Sequence, residues 1–178
     1  MVSILKTDKI QASHGSTIEI PSGHKISGAA SSVLSPGMII QAVQSSTNTY
    51  FNTSSSSFVN AFTATVTPTL ATSKIMIIGS MCGIANNGGG ANVEARLNRN
   101  LSGDTVVGKY NRICHIAGGT FLAVTHNFTE IDSPNTTSTI TYEYQMRTQN
   151  GTNSVRFNDY HTGAADSRST FTFLEIAQ

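Results

Sequence analysis

The chain has 178 residues, enough for one ordinary domain or one domain with an arm. Hydrophobic residues make up 38% and charged residues only 12%, about half the usual charged share. In place of charge stand 22 Ser, 23 Thr and 14 Asn, and 11 Lys and Arg against 10 Asp and Glu leave a net charge of +1. That balance excludes the basic excess with which nucleic-acid binders displace counterions.

No apolar run approaches the roughly 20 residues of a membrane span, and the longest, residues 74–82, is interrupted by Gly79 and Ser80. Residues 1–6 lack the basic-then-apolar layout of a signal peptide. The expectation is a soluble chain that is not exported by the ordinary secretory route, with no membrane insertion and no nucleic-acid partner. Ser, Thr and Asn compete with the helix backbone through their own hydrogen bonds, and Gly adds an entropic cost. Thr suits strands and Asn and Gly suit turns, so the composition predicts an all-β fold.

Residues 1–36 read as an arm. They hold two short strand-like stretches, 4–10 and 17–20, then Pro21-Ser22-Gly23-His24 and a small-residue stretch that ends at Pro36-Gly37. Ile4, Leu5, Ile10, Ile18 and Ile20 are spread through it, without an aromatic residue. Such a segment cannot offset its own ordering entropy. It is expected to be held by copies of itself, which makes those five residues the candidates for attachment and self-association.

Residues 37–178 read as a series of strands separated by turn clusters. The first spans 38–46. The second spans 58–67, with Phe58, Phe62, Ala64 and Val66 on one face. Residues 73–82 are apolar on both faces at Ile75-Met76-Ile77-Ile78, which predicts a central strand covered on both sides. The tract 86–90 reads as a loop. Residues 92–98 alternate Val93, Ala95 and Leu97 with Glu94, Arg96 and Asn98, and pair as a hairpin with 105–110. A short strand is expected at 112–117. Residues 120–131 put Leu122, Val124, His126 and Phe128 on one face.

The clearest alternation is 139–147, with Ile140, Tyr142, Tyr144 and Met146 facing the core and Glu143, Gln145 and Arg147 facing solvent. Asn150-Gly151 signals a hairpin into 154–157. The last strand, 169–177, carries Phe171 and Phe173 on one face and Leu174 and Ile176 on the other. Its second face needs a cover, either the opposite sheet and a loop or a neighbouring subunit, and these four are the candidates for a subunit interface. Eight or nine strands with no helical period predict an antiparallel β-sandwich.

Residues for chemistry are sparse. The ten acids are scattered, and Glu130 and Asp132 share a strand face at what reads as a solvated strand end. The five His form no HxH or HxxxH pair, so no metal and no cofactor is expected. A His meeting its symmetry mates on a threefold axis is the one metal arrangement left open, with His14 and His24 as candidates. No nucleophile or phosphate-loop motif occurs, and no enzymatic activity is expected. Cys82 and Cys114 read as small buried side chains or one inter-strand disulfide. Asn87, Tyr160 and His161 are the candidates for exposed-loop binding. Arg147, Arg156 and Arg168 would lie together if their strands were neighbours, with Glu143 as partner.

Several stretches together resemble a known family. Ser3-Ile4-Leu5-Lys6-Thr7-Asp8-Lys9-Ile10-Gln11 is similar to the L-K-V-D-T-I-Q opening of tailed-phage fibre and virion decoration proteins, many of them from marine phages. Thr17-Ile18-Glu19-Ile20-Pro21-Ser22-Gly23-His24-Lys25 resembles the next stretch in those proteins. Phe58-Val59, Ser73-Lys74-Ile75, Ala95-Arg96-Leu97, Asp132-Ser133-Pro134-Asn135-Thr136 and the closing Phe173-Leu174-Glu175-Ile176-Ala177-Gln178 extend the likeness in order. Thr7 and Lys9 depart from the pattern.

The resemblance implies a homotrimer with an N-terminal arm and a C-terminal jelly-roll head of the TNF/C1q kind. It implies a virion structural protein, a short fibre or decoration protein bound to tail or capsid proteins through residues 1–36, with host cell-surface glycan as a further partner. A stand-alone carbohydrate-binding jelly-roll lectin is the alternative, and a glycan-cleaving tailspike fragment a third.

Overall fold

The computed structural model describes residue 22 and residues 34–87, 92–115, 122–149, 153–159 and 167–178. The chain divides into Met1–Val33 and Leu34–Gln178, and every described strand belongs to the second unit. The arm candidates Ile4, Leu5, Ile10, Ile18 and Ile20, the histidines His14 and His24, and the loop candidates Tyr160 and His161 lie outside the described residues.

Among the described residues ten strands run in chain order: β1 (Ile39–Thr47), β2 (Phe51–Thr53), β3 (Val59–Val66), β4 (Lys74–Asn87), β5 (Asn92–Asn100), β6 (Asp104–His115), β7 (Leu122–Asp132), β8 (Ile140–Thr148), β9 (Ser154–Phe157) and β10 (Ser169–Ile176). No helix occurs among them. Every pairing is antiparallel, and β1 pairs with β10, β3 with β8, β4 with β7 and β5 with β6. The chain is therefore one long antiparallel hairpin rolled into two layers, which is a jelly-roll β-sandwich. One sheet runs β1-β10-β4 with β7 on the far edge of β4, and β9 and β2 continue it alongside the end of β4. The other runs β3-β8-β5-β6.

The core forms where the inward faces meet. Ile140, Tyr142, Tyr144 and Met146 of β8 are fully buried, as the alternation predicts. Val93, Ala95 and Leu97 of β5 and Phe62, Ala64 and Val66 of β3 join them from the same sheet. The opposite sheet supplies Ile75, Ile77, Phe128, Phe171 and Phe173. Aromatic rings stack across the layers, with Tyr142 on Phe173 at 5.4 Å and Tyr144 on Phe128 at 5.8 Å.

Several expectations change. β4 is central but not covered twice, because Ile75 and Ile77 are buried while Ile78 is 39% exposed. β4 also continues through Asn86 and Asn87, which pair with Val155 and Ser154 of β9, so Asn87 ends a strand rather than sitting in a loop. Its long run is bent at Gly83, whose φ of +60° and close approach to the Asp159 backbone exclude a side chain. The strand expected at 112–117 is the end of β6, which passes Arg112 at φ +54°. Cys114 is buried, Cys82 is half-buried, and both remain thiols.

The interface candidates Phe171 and Phe173 are fully buried inside this chain's own core, facing Phe62 and Tyr142. They are not available to a neighbouring subunit. Leu174 and Ile176 lie on the outward side of β10 and stay half-buried.

Candidate functional site

The outward faces of the two sheets differ sharply. On the first, antiparallel register aligns Ala42, Leu174, Met76 and Ile131 in one row and Gln44, Thr172, Ile78 and Thr129 in the next. A third row is Ser46, Thr170, Ser80 and Asn127, and Ile39, Ile176 and Lys74 stand at the other end. Lys74 is the one charged residue in these rows. Ile39 and Ile131 are 55% and 56% exposed. This face is apolar at one end and hydroxyl-rich at the other.

The outward face of the β3-β8-β5-β6 sheet is charged and built around Phe58. The Phe58 ring lies 4.5 Å from the guanidinium carbons of both Arg96 and Arg147. Arg147 is neutralised, donating from Nε and Nη2 to Glu94 at 2.8 and 2.7 Å. Arg96 donates from Nε to Gln145 at 2.5 Å, and Gln145 in turn donates to Asn60 and Glu143. Asn98 donates to Glu143 and to Asp104. This network buries Glu143 to 7% exposure and Gln145 to 6%, where alternation alone predicts solvated positions. They are buried because the long side chains of three adjacent strands lie across them.

Arg147 and Arg156 do not come together. Arg147 pairs with Glu94 rather than Glu143, and Arg156, on β9 of the other sheet, pairs with the buried Asp159 at 2.9 Å. Asn158 is likewise buried, its amide donating to the Thr47 and Thr49 carbonyls, so neither residue belongs to an exposed loop.

Glu130 and Asp132 do not form a solvated strand end either. Asp132 accepts both oxygens' bonds from Arg99 and one from the Tyr142 hydroxyl, which tie the two sheets together. Glu130 accepts from Tyr110. Burial, then the neighbouring Asp132 carboxylate, raises the Tyr142 phenol well above its ordinary value, so it stays a donor. Among the described residues no group of His, Cys, Asp and Glu is arranged to hold a metal.

His126 sits between Tyr110 and Phe128, with its Nδ1 2.9 Å from the Tyr144 hydroxyl. Burial lowers its pKa. A group whose folded pKa is depressed contributes stability above its unfolded value, about 6.5, and loses it as pH falls toward the folded one. Thermal unfolding from pH 7 to pH 5 is expected to show this loss, and His126→Gln should flatten it.

A depression of about 290 Å³ is lined, among the described residues, by Cys82, Gly83, Ala123, Val124, Thr125 and Ser167. Sequence reading missed Phe58, Arg96 and the buried Glu143 network. Its signal was present, since Glu94-x-Arg96-x-Asn98 and Glu143-x-Gln145-x-Arg147 are two outward charge patterns that become complementary once β5 and β8 pair antiparallel.

No family model matches the chain, and no curated protein matches it significantly. Among solved structures the chain is similar to the infectious bursal disease virus VP2 subviral particle at 12% identity and a TM-score of 0.42, over 78% of this chain and 37% of that one. The structure of the Gt strain of the same virus is similar at 13% identity and a TM-score of 0.39, over 89% of this chain and 43% of that one. The chain thus spans about two fifths of the length of the proteins it matches.

Proposed function

We propose that the chain is a virion structural protein, a short homotrimeric fibre or decoration protein of a tailed phage. It is made in the host cytoplasm and carried on the particle surface. Residues 1–36 attach it to other virion proteins, and the sandwich is the exposed head. It works by geometry and multivalency rather than catalysis, since three weak contacts per trimer give avidity without a deep pocket. The resemblance of the arm and strand motifs to such proteins supports this reading.

The observation that carries it is the inequality of the two outward faces. The β1-β10-β4-β7 face holds Lys74 as its one charge, with Ile39, Ile131, Ile78, Leu174 and Ile176 uncovered or half-covered. A second copy is the occupant that such a face suits. Three copies packing this face around a common axis bury no carboxylate there, and each brings a single exposed cation, Lys74, at the end of the face. The opposite, charged face is then left for solvent and host.

Native mass measurement tests this. The full chain is expected at three times its own mass. Ile39→Lys with Ile131→Lys, both at positions more than half exposed, is expected to give a folded monomer. A wild-type monomer that is also missing from purified particles would instead favour the stand-alone lectin.

A further inference from the structure

We propose that the outward face of the β5–β6 hairpin binds the oxyanion groups of an acidic polysaccharide, carboxylate or sulfate, with Arg96 and Lys109 as its principal cations and Arg112 at its rim. The inference rests on the particle-appendage reading only for the source of the glycan, a host surface. The site itself stands on geometry.

Arg96 and Lys109 are direct cross-strand partners and so share the outward face. Like charges directly opposite one another on a sheet are destabilising. Among the described residues neither has a carboxylate within ion-pair distance, and nor has Arg112. Each of the ion-paired arginines, Arg99, Arg147 and Arg156, has its own acid. Three uncompensated cations thus gather on one hairpin of a chain with only 12% charged residues.

The arginine at the centre is also held in place. Its Nε is tied to the buried Gln145, and its guanidinium lies over Phe58. Its terminal nitrogens remain for a ligand, and a fixed guanidinium presents them as a planar fork that matches carboxylate or sulfate. Arg147 shows what the same ring support does when an acid is supplied, since Glu94 closes it off.

An outward sheet face open to solvent at Lys109 and Arg112 suits a polymer rather than a small enclosed anion. Arg112 comes three residues after Lys109 on β6, about 10 Å along a strand, so an anion that repeats along a chain can meet both. Arg112 is itself held at the hairpin edge, its Nε donating to the amide oxygen of the buried Asn92 at 3.1 Å. A net charge of only +1 favours a polysaccharide over nucleic acid.

The test uses the full chain on immobilised dextran sulfate and polygalacturonate, with neutral dextran and a single-stranded oligonucleotide as further arms. Retention is expected on one or both acidic polysaccharides, reduced by salt, and not on dextran. Arg96→Gln with Lys109→Gln should weaken it about ten-fold or more, the effect of removing one charge-assisted hydrogen bond. Arg168→Gln, at an exposed cation just before β10 of the other sheet, should leave it unchanged. Lys109→Glu alone, at an exposed edge position, gives the same discrimination if Arg96 variants fold poorly.

No binding by wild type to either acidic polysaccharide overturns the proposal. Equal loss in Arg168→Gln overturns it too, as does tighter binding to the oligonucleotide. A trimer present in particles that fails to bind removes this site and leaves the structural role. A monomer absent from particles that still binds does the reverse.

Discussion

Glu175→Gln is expected to lower the stability of the sandwich by about 1–3 kcal/mol, the range for leaving a buried hydrogen-bonding group without its partner. Glu175 is fully buried on the inward side of β10, and among the described residues no cation pairs with it. Its carboxylate is satisfied by hydrogen bonds alone. Oε1 accepts from the backbone nitrogens of Thr69 and Leu70 at 2.8 and 2.9 Å and from the Ser73 hydroxyl at 2.6 Å. Oε2 accepts from Gln41 at 2.6 Å, and Gln41 also donates to the Thr67 carbonyl. One side chain thus fixes β1, the last strand and the 67–73 connection between the two sheets. A glutamine there turns its NH₂ either toward the Thr69 and Leu70 N–H groups, which cannot accept from it, or toward the Gln41 NH₂, which the Thr67 carbonyl already orients.

The same hydrogen bonds set a pH dependence. Burial alone would raise the Glu175 pKa, but the donors at Ser73, Thr69, Leu70 and Gln41 outweigh it and hold the carboxyl below the usual carboxylate range. Its stabilisation is therefore present above the unfolded value, about 4.3, and is lost as pH falls through the lower folded value. Chemical denaturation from pH 6 down to pH 3 should show this acid limb in the wild type and a weaker one in Glu175→Gln. Equal stability of the two proteins at pH 6 would sink the assignment.

Strand positions were legible wherever one face was polar. β8 and β5 alternate cleanly because their outward residues are charged or amide-bearing, and the buried set could be read at two-residue spacing. The same rule misleads at β4 and β10. An exposed outward face made of Met76, Ile78, Leu174 and Ile176 looks, in sequence, identical to a buried one. Periodicity reports which residues share a face and not what covers it.

The polar network failed for the opposite reason. Glu143 and Gln145 look solvated one strand at a time, and only the register of β3, β8 and β5 brings Asn60, Asn98 and Arg96 over them. Glu175 gave no signal either, since its side-chain partners Ser73 and Gln41 are 102 and 134 residues away.

Gly79→Ala is expected to cost about 3 kcal/mol, near the upper end for overpacking a well-filled core. In sequence Gly79 merely interrupts an apolar run. In the fold it is the direct cross-strand partner of Phe128, whose ring lies across it in place of a side chain. A Cβ at residue 79 would stand 2.2 Å from the ring tip and 2.3 Å from the adjoining ring carbon, so the ring must leave. It cannot leave freely, because it is stacked parallel to Tyr144 and packed edge-on against Phe171. The penalty is steric, and shrinking the ring should relieve it. Phe128→Leu alone is expected to destabilise through poorer packing, while Gly79→Ala combined with Phe128→Leu should be less damaging than the sum of the two. Urea denaturation of all four proteins gives that coupling directly. Strict additivity would mean that the glycine is retained for its backbone freedom and not for the ring that covers it.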